Sequence, residues 1–221
     1  MPAHDSRAPL KRQAAEHRLS MTEEIAITRG FAEELRSEAA SLFAAAFGPK
    51  LSVAIPNPGL RMEILQEALD PSHAFVATAK GRIVGIAGFK TSAGALTSGI
   101  SPRLLRAKLG VWRSLRAVAV LALFERGLRP EQLLMDGISV SPGARGGGIG
   151  TKLLDRIKQF AEEEGYRTVR LDVIDTNHAA RRLYERQGFV VTASSRFGYL
   201  RWLLGFSAAT TLEYRVSRAA T

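Results

Sequence analysis

The chain has 221 residues, enough for one large domain or two small ones, so it is not a mini-protein that needs cross-links to fold. Its hydrophobic fraction of 46% and charged fraction of 24% are those of a globular protein and argue against a disordered or fibrous chain. The absence of cysteine excludes disulfides, thiolate nucleophiles and cysteine-based metal sites, and no spacing of histidines and carboxylates predicts any other metal site.

The net charge of +10 is concentrated in one part of the sequence. Seven basic residues and a single acidic one, Glu125, lie between Ser101 and Pro130. This distribution predicts a basic element inserted in a nearly neutral domain, and it argues against a nucleic-acid-binding protein.

The beginning of the chain carries no targeting signal that we can identify. Positions 1–20 have scattered charges and lack the apolar core of a secretory signal, so we expect a flexible extension there, with Met21 as a candidate natural start. The longest apolar run, 117–124, is far shorter than the roughly 20 residues that cross a bilayer, so no transmembrane span is predicted. Together with the missing cysteines, this favours a cytoplasmic location.

The first half of the chain is predicted to form a strand, two helices and a β-hairpin. In order, these are a short strand at Ile25–Ile27, helices at 31–47 and 60–69, and strands at 74–79 and 82–89 joined by a turn at Lys80–Gly81. Small residues predict a loop at 92–99.

A single helix is predicted over 103–126. Its apolar positions Leu105, Leu109, Trp112 and Leu115 share one side, and Arg103, Arg106 and Arg113 lie on another. The remaining elements are strands at 133–140, 168–174, 189–192 and 208–214 and helices at 151–164 and 178–187. This order predicts one α/β domain with a mixed sheet.

The turn between the strand at 133–140 and the helix that follows contains four glycines in five positions, at Gly146, Gly147, Gly148 and Gly150. A helix begins with unpaired N–H groups and a partial positive charge, so glycines at this position favour an anionic ligand. The turn lacks the Gly-Lys-Ser/Thr of a Walker loop and the spacing of a dinucleotide fingerprint. Glycine could also serve only to make the tight turn.

Arg145, Gly148 and Gly150 satisfy the pattern Q/R-x-x-G-x-G/A, and the turn resembles the acetyl-coenzyme A loop of the GNAT superfamily of N-acetyltransferases. The resemblance continues in Ile138–Pro142 and in Leu171–Phe189. It implies an N-acetyltransferase domain at 21–221 with a basic helical insert at about 101–130. The implied fold is α/β, with a mixed, mostly antiparallel central sheet flanked by helices and two strands that splay apart at the coenzyme A site.

The resemblance also implies acetyl-coenzyme A as a cosubstrate, with no metal. Main-chain atoms of Ile138, Ser139 and Val140 would contact the pantetheine arm. The residues implied around the diphosphate and the rest of the coenzyme are Arg145, Gly146, Gly147, Gly148, Ile149, Gly150, Thr151, Asn177 and Arg181. Asn177 could instead serve only as a helix N-cap.

The resemblance implies two catalytic candidates, Tyr184 and Asp172, and Asp136 is a third because it is the other carboxylate in reach, on the neighbouring strand. Tyr184 matches the family tyrosine that donates to the departing sulfur, although it could be an ordinary core aromatic. Asp172 and Asp136 are the candidate general bases, acting directly or through water, and each could instead belong to a structural ion pair.

The implied activity is transfer of an acetyl group to a primary amine by direct attack. The alternative is a protein that binds acyl-coenzyme A as a sensor or scaffold without turning it over. The acceptor would be a small-molecule amine or a protein amine, and no nucleic-acid partner is expected. The basic insert could be a lid over the acceptor cleft, a homodimer contact or, less favoured, a surface that rests on anionic lipid. The apolar segment at 196–206 is predicted to pack against it.

Overall fold

The computed structural model describes residues 25–123, 125, 127–196 and 207–217, without the side chains of residues 49 and 50. The predicted extension at 1–20, Met21 and the apolar segment at 197–206 with its expected packing lie outside these residues.

Six α-helices are present in the described part of the chain. They are α1 (Arg36–Ala54), α2 (Pro58–Ala68), α3 (Pro102–Leu109), α4 (Val111–Ala122), α5 (Ile149–Glu163) and α6 (His178–Arg186). Several begin at a polar cap; the Asn57 side chain, for example, accepts a hydrogen bond from the Leu60 N–H at the start of α2.

The described residues contain eight strands, which form one open sheet. They are β1 (Ala26–Arg29), β2 (Ala74–Ala79), β3 (Arg82–Thr91), β4 (Gly94–Ala95), β5 (Gln132–Val140), β6 (Thr168–Ile174), β7 (Val190–Arg196) and β8 (Ala208–Arg215). Their order is β1-β2-β3-β5-β6-β8-β7, with the short β4 beside β3. Among the described strands, only β5 and β6 pair in parallel. The expected mixed, mostly antiparallel sheet flanked by helices is therefore confirmed.

The core is divided between the two faces of the sheet. On one face, α5 packs Leu153, Ile157 and Phe160 against β2, β3, β5 and β6. On the other face, α1 packs Ala39, Ala40 and Phe43 against β2 and β3. A smaller third cluster joins the end of α1 to α2, α3 and α4.

The predicted helix at 103–126 is wrong as a single element. It is divided at Gly110, whose φ of +76° and ψ of 175° belong to a region that only glycine adopts readily, and α4 ends at Ala122. The apolar side divides as well, because Leu105 is 1% exposed whereas Trp112 is 84% and Leu115 58% exposed. No helix in the described ranges is long and apolar enough to cross a membrane.

Other boundaries differ by a few residues. A 3₁₀ turn at Glu33–Leu35 replaces the start of the helix predicted at 31–47, and α1 continues to Ala54. The predicted loop at 92–99 contains β4, which pairs with the end of β3. The strand predicted at 189–192 extends to Arg196 because β8 pairs with it over that length.

Candidate active site

The glycine turn leads from the end of β5 into the start of α5. Gly146 and Gly148 adopt φ values of +85° and +74°, which glycine tolerates without strain. A Cβ added at either position would meet no atom within 4 Å, so the outside of the turn is open. The pattern of glycines therefore shapes the turn and also leaves its backbone accessible.

The first turn of α5 has no side-chain cap. Gly148 is the N-cap residue, and the Lys152 N–H bonds to its carbonyl at 3.0 Å. The N–H groups of Ile149, Gly150 and Thr151 precede this bond, so they are available to an anion together with the positive end of the helix dipole. The Ile149 side chain itself is buried, so only its backbone faces a ligand.

Arg145 lies at the junction of strand and turn. Its Nε donates to the carbonyl oxygen of Val140 at 3.2 Å. This bond brings a positive charge to the end of β5, beside the uncapped first turn of α5.

The two strands next to the turn separate, as expected from the resemblance. The parallel pairing of β5 with β6 covers only Gln132–Leu134 and Thr168–Arg170. Beyond it, β5 continues in register with β3 up to Val140, while β6 pairs with β8 up to Ile174. The rest of β5, which contains Ile138, Ser139 and Val140, therefore has one edge that β6 does not cover.

A β-bulge interrupts β5 at Asp136. Gly88 of β3 pairs with Gly137 and Phe89 pairs with Met135, so Asp136 has no opposite residue on β3. Its Oδ2 is 3.6 Å from a Cβ built on Gly88, on the face of the sheet that α1 covers. Bulges bend a strand and redirect its side chains, which makes this one a local cause of the separation from β6.

Gly137 allows α1 to approach the bulge. A Cβ at this position, where φ is +144°, would lie 2.9 Å from Cζ of Phe47. Sequence reasoning did not predict the bulge or its contact with Phe47. The signal that could have found the bulge is a glycine inside a predicted strand, directly after a charged residue.

Asp172 lies on β6 at the position that corresponds to Asp136 on β5. Its neighbours Leu171 and Val173 point into the core under α5, so its carboxylate lies on the opposite face, with a side chain only 7% exposed. The Nη2 atom of Arg170 is 4.0 Å from its Oδ2. Asp136 and Asp172 both lie two residues beyond the last pair that joins β5 to β6, so the structure places both candidate bases where the strands diverge.

Tyr184 lies on α6 and belongs to the core cluster under α5. It is buried, and its ring is 5.9 Å from that of Phe189 between centroids. Burial raises the pKa of its hydroxyl to about 12, opposed in part by a hydrogen bond with the Ile138 backbone. The Ile138 backbone therefore lies beside the hydroxyl, at the edge of β5 that β6 does not cover.

The remaining candidates on α6 have structural partners. Asn177 is the N-cap, and its Oδ1 accepts from the Ala180 N–H at 3.1 Å. Arg181 is exposed, and its Nε is 2.8 Å from Oε1 of Glu185. A Cβ built on Gly150 would lie 3.2 Å from Leu183, so this glycine lets α6 reach the turn.

In the part of the chain that the structure describes, no group of three or more histidine, aspartate or glutamate residues is placed to hold a metal ion.

Comparison with known proteins agrees with this geometry. The model of the acetyltransferase (GNAT) family matches residues 42–189. Among curated proteins, the probable N-acetyltransferase family 8 member 5 of Mus musculus is 36% identical over 78 residues, which is 35% of this chain and 34% of that protein. The alignment thus spans about a third of that relative.

Solved structures show the same fold. An N-acetyltransferase from Staphylococcus aureus Mu50 aligns with a TM-score of 0.60 at 14% identity, covering 86% of this chain and 100% of that one. The yncA protein from Salmonella typhimurium, solved with its cofactor acetyl-CoA, aligns with a TM-score of 0.51 at 16% identity, covering 90% of this chain and 97% of that one. With a family model that matches most of its length and a sheet that opens beside the glycine turn, the chain belongs to the GNAT family of acetyltransferases.

Proposed function

We propose that this protein transfers the acetyl group of acetyl-coenzyme A to a primary amine. The observation that carries the proposal is the uncapped, glycine-lined start of α5 beside the gap between β5 and β6, with the buried hydroxyl of Tyr184 at that gap. Membership of the family supports the acetyl donor.

The residues present fit this donor. The backbone N–H groups of Gly146 to Thr151, with the charge of Arg145 at the end of β5, would hold the diphosphate. The uncovered edge of β5 at Ile138–Val140 offers main-chain donors and acceptors to the amides of the pantetheine arm. Asn177 and Arg181 of α6 would also contact the coenzyme. They would do so through polar atoms that are not used in the helix cap or in the ion pair with Glu185.

Bound in this way, the donor supplies an acetyl group activated as a thioester. A neutral amine nitrogen attacks the carbonyl carbon, the C–N bond forms, and the carbon–sulfur bond breaks. The amine gives up a proton to Asp136 or Asp172, directly or through one water, and the sulfur leaves with a hydrogen bond from the Tyr184 hydroxyl, which supplies its proton. The amine therefore loses one proton and the sulfur gains one. Proton exchange with solvent then returns Tyr184 to its protonated form.

The raised pKa suits Tyr184 to this role. With a pKa of about 12 the phenol stays protonated through the neutral and mildly alkaline range, in which a fraction of an amine acceptor is already neutral. The two carboxylates lie on the face of the sheet that α1 covers, so we propose that the amine approaches from that face. The acceptor would be a small-molecule or protein amine.

The test separates chemistry from binding at Tyr184. In Tyr184→Phe we expect kcat to fall by roughly 100-fold or more, because a general acid contributes about that factor, with little change in coenzyme A affinity. Acetyl transfer to a panel of amines would be followed by thiol release, and binding by calorimetry. Tyr214→Phe is the matched control, since Tyr214 also packs on Phe189, at 5.5 Å between centroids.

Two results would contradict this proposal. Unchanged turnover in Tyr184→Phe would remove the acid role, provided that the variant melts at the wild-type temperature. Tight coenzyme A binding by the wild-type protein without acetyl transfer to any amine of the panel would instead favour the non-catalytic sensor.

A further inference from the structure

The outer face of α4 exposes large apolar side chains. Trp112, Leu115 and Leu123 are 84%, 58% and 67% exposed, and Val111 is also exposed. Trp112, Leu115 and Ala119 recur at helical spacing, with Leu123 one turn further on, so they form one continuous stripe. We call this stripe, with the arginines described below, the insert face.

The insert face is held in a defined orientation. The opposite side of α4 buries Ala117 in the cluster that α1, α2 and α3 share, together with Leu105 of α3. Arg116 Nη2 donates to the Val53 carbonyl of α1 at 3.1 Å. The apolar stripe therefore points outward because the inner side of the helix is already packed.

Exposed basic residues accompany the stripe on α3 and α4. Arg103, Arg106, Arg113 and Arg116 are all exposed, and α3 and α4 contain no acidic residue. Lys108, which is less exposed, is engaged by Glu67 of α2 at 3.1 Å. Arg113 and Arg116 each directly follow a residue of the stripe on α4, and Arg103 and Arg106 are exposed on the neighbouring α3.

We propose that the insert face rests on an anionic lipid membrane. Trp112, Leu115 and Leu123 enter the interfacial region, where an amphipathic indole ring is favoured, and the arginines contact lipid phosphates. A second copy of the chain is a poor occupant, because a two-fold symmetric contact through the stripe would bring Arg113 and Arg116 of both copies together, and α4 has no acidic residue to pair with them. A bilayer with anionic headgroups supplies both the apolar depth and the opposite charge.

Vesicle sedimentation tests this surface. We expect the full chain to bind vesicles of phosphatidylcholine with roughly one third phosphatidylglycerol, more weakly as salt rises, and not to bind vesicles of phosphatidylcholine alone. Replacing Arg103, Arg106 and Arg113 together with glutamine should weaken binding on the order of 100-fold, since each arginine near such a surface is worth roughly fivefold.

Apolar variants and controls locate the contact. Trp112→Ala combined with Leu115→Ala should also abolish sedimentation. The matched control is Val190→Ala with Val191→Ala, which removes exposed apolar groups from β7, and Arg215→Gln is the charge control. Binding that the insert variants leave unchanged, or that the controls weaken equally, would overturn the proposal.

Fluorescence distinguishes the other occupants. With Trp202 replaced by phenylalanine, Trp112 is the remaining tryptophan, and its emission should be that of an exposed indole and shift to the blue with anionic vesicles. Emission already blue in dilute lipid-free protein would mean that another part of this chain covers the face. A blue shift that depends on protein concentration without lipid would mean that a second copy does. Either result overturns the proposal.

Discussion

At the scale of single residues, the raised pKa of the Tyr184 hydroxyl is the most informative feature of the described chain. Its place in the sequence already identified it as a catalytic candidate, but not its surroundings. Those depend on Phe189 and on Ile138, a residue of β5 that lies far away in the sequence. The structure thus shows that this tyrosine is buried and that its pKa is raised well above the usual value of a phenol.

The pH dependence of stability reports this burial. Below about pH 10 the hydroxyl is protonated in both the folded and the unfolded state, so its full contribution to stability is present. Between about pH 10 and 12 only the unfolded chain ionises, and the free energy of unfolding falls by about 3 kcal/mol. Urea unfolding of wild type and Tyr184→Phe across this window would measure it. Equal losses in the two proteins would show that Tyr184 is not buried as described.

Gly148 and Gly165 make a matched pair at the two ends of α5. Both adopt φ of +74° and have open space at the Cβ position. Replacing either with alanine should cost roughly 1–2 kcal/mol of stability, because the left-handed backbone strains an L residue. Only Gly148→Ala should also weaken coenzyme A binding, by roughly tenfold, through displaced amides. Thermal melts and calorimetry check both; equal affinities in the two variants would contradict the assigned diphosphate site.

At the scale of elements, β5 shows which features the hydrophobic pattern of the sequence predicts and which it does not. The apolar run at 133–140 predicts the strand, and Asp136 was correctly placed on it. The bulge at Asp136 needs the register against β3, and the close approach of Phe47 to Gly137 needs α1 to lie across it. Neither partner is near Asp136 in the sequence, so local propensity contains no information about them.

The burial of residues on α3 and α4 also depends on contacts that the sequence pattern did not predict. Leu105 and Leu115 were expected on one side of one helix, but the break at Gly110 turns Leu105 inward and Leu115 outward. Leu105→Ala should therefore destabilise the protein by about 2–5 kcal/mol, whereas Leu115→Ala should change stability by less than about 0.5 kcal/mol. Chemical denaturation of the two variants in lipid-free buffer is the measurement. Similar costs for both would restore the single-helix interpretation.

For the whole molecule, the distribution of charge matters more than its total. Many cations of the described surface have acidic neighbours, such as Arg82 with Glu38, Lys158 with Asp155 and Arg167 with Glu131. The exposed arginines of α3 and α4 lie where no acidic residue of those helices can neutralise them. The sequence already located this excess at 101–130, and the structure adds that the four arginines of α3 and α4 are exposed.

The sequence by itself determined the features that depend on a few neighbouring residues: the glycine turn, the cap at Asn177, most helices and strands, and the family through Arg145, Gly148 and Tyr184. Steric limits on the backbone and local hydrogen bonds act over such short distances. Only the tertiary structure decided which face of α4 is buried, where β5 leaves β6, and which groups surround Tyr184. These depend on contacts between segments remote in sequence, and their energy comes from apolar area that is buried only once those segments meet.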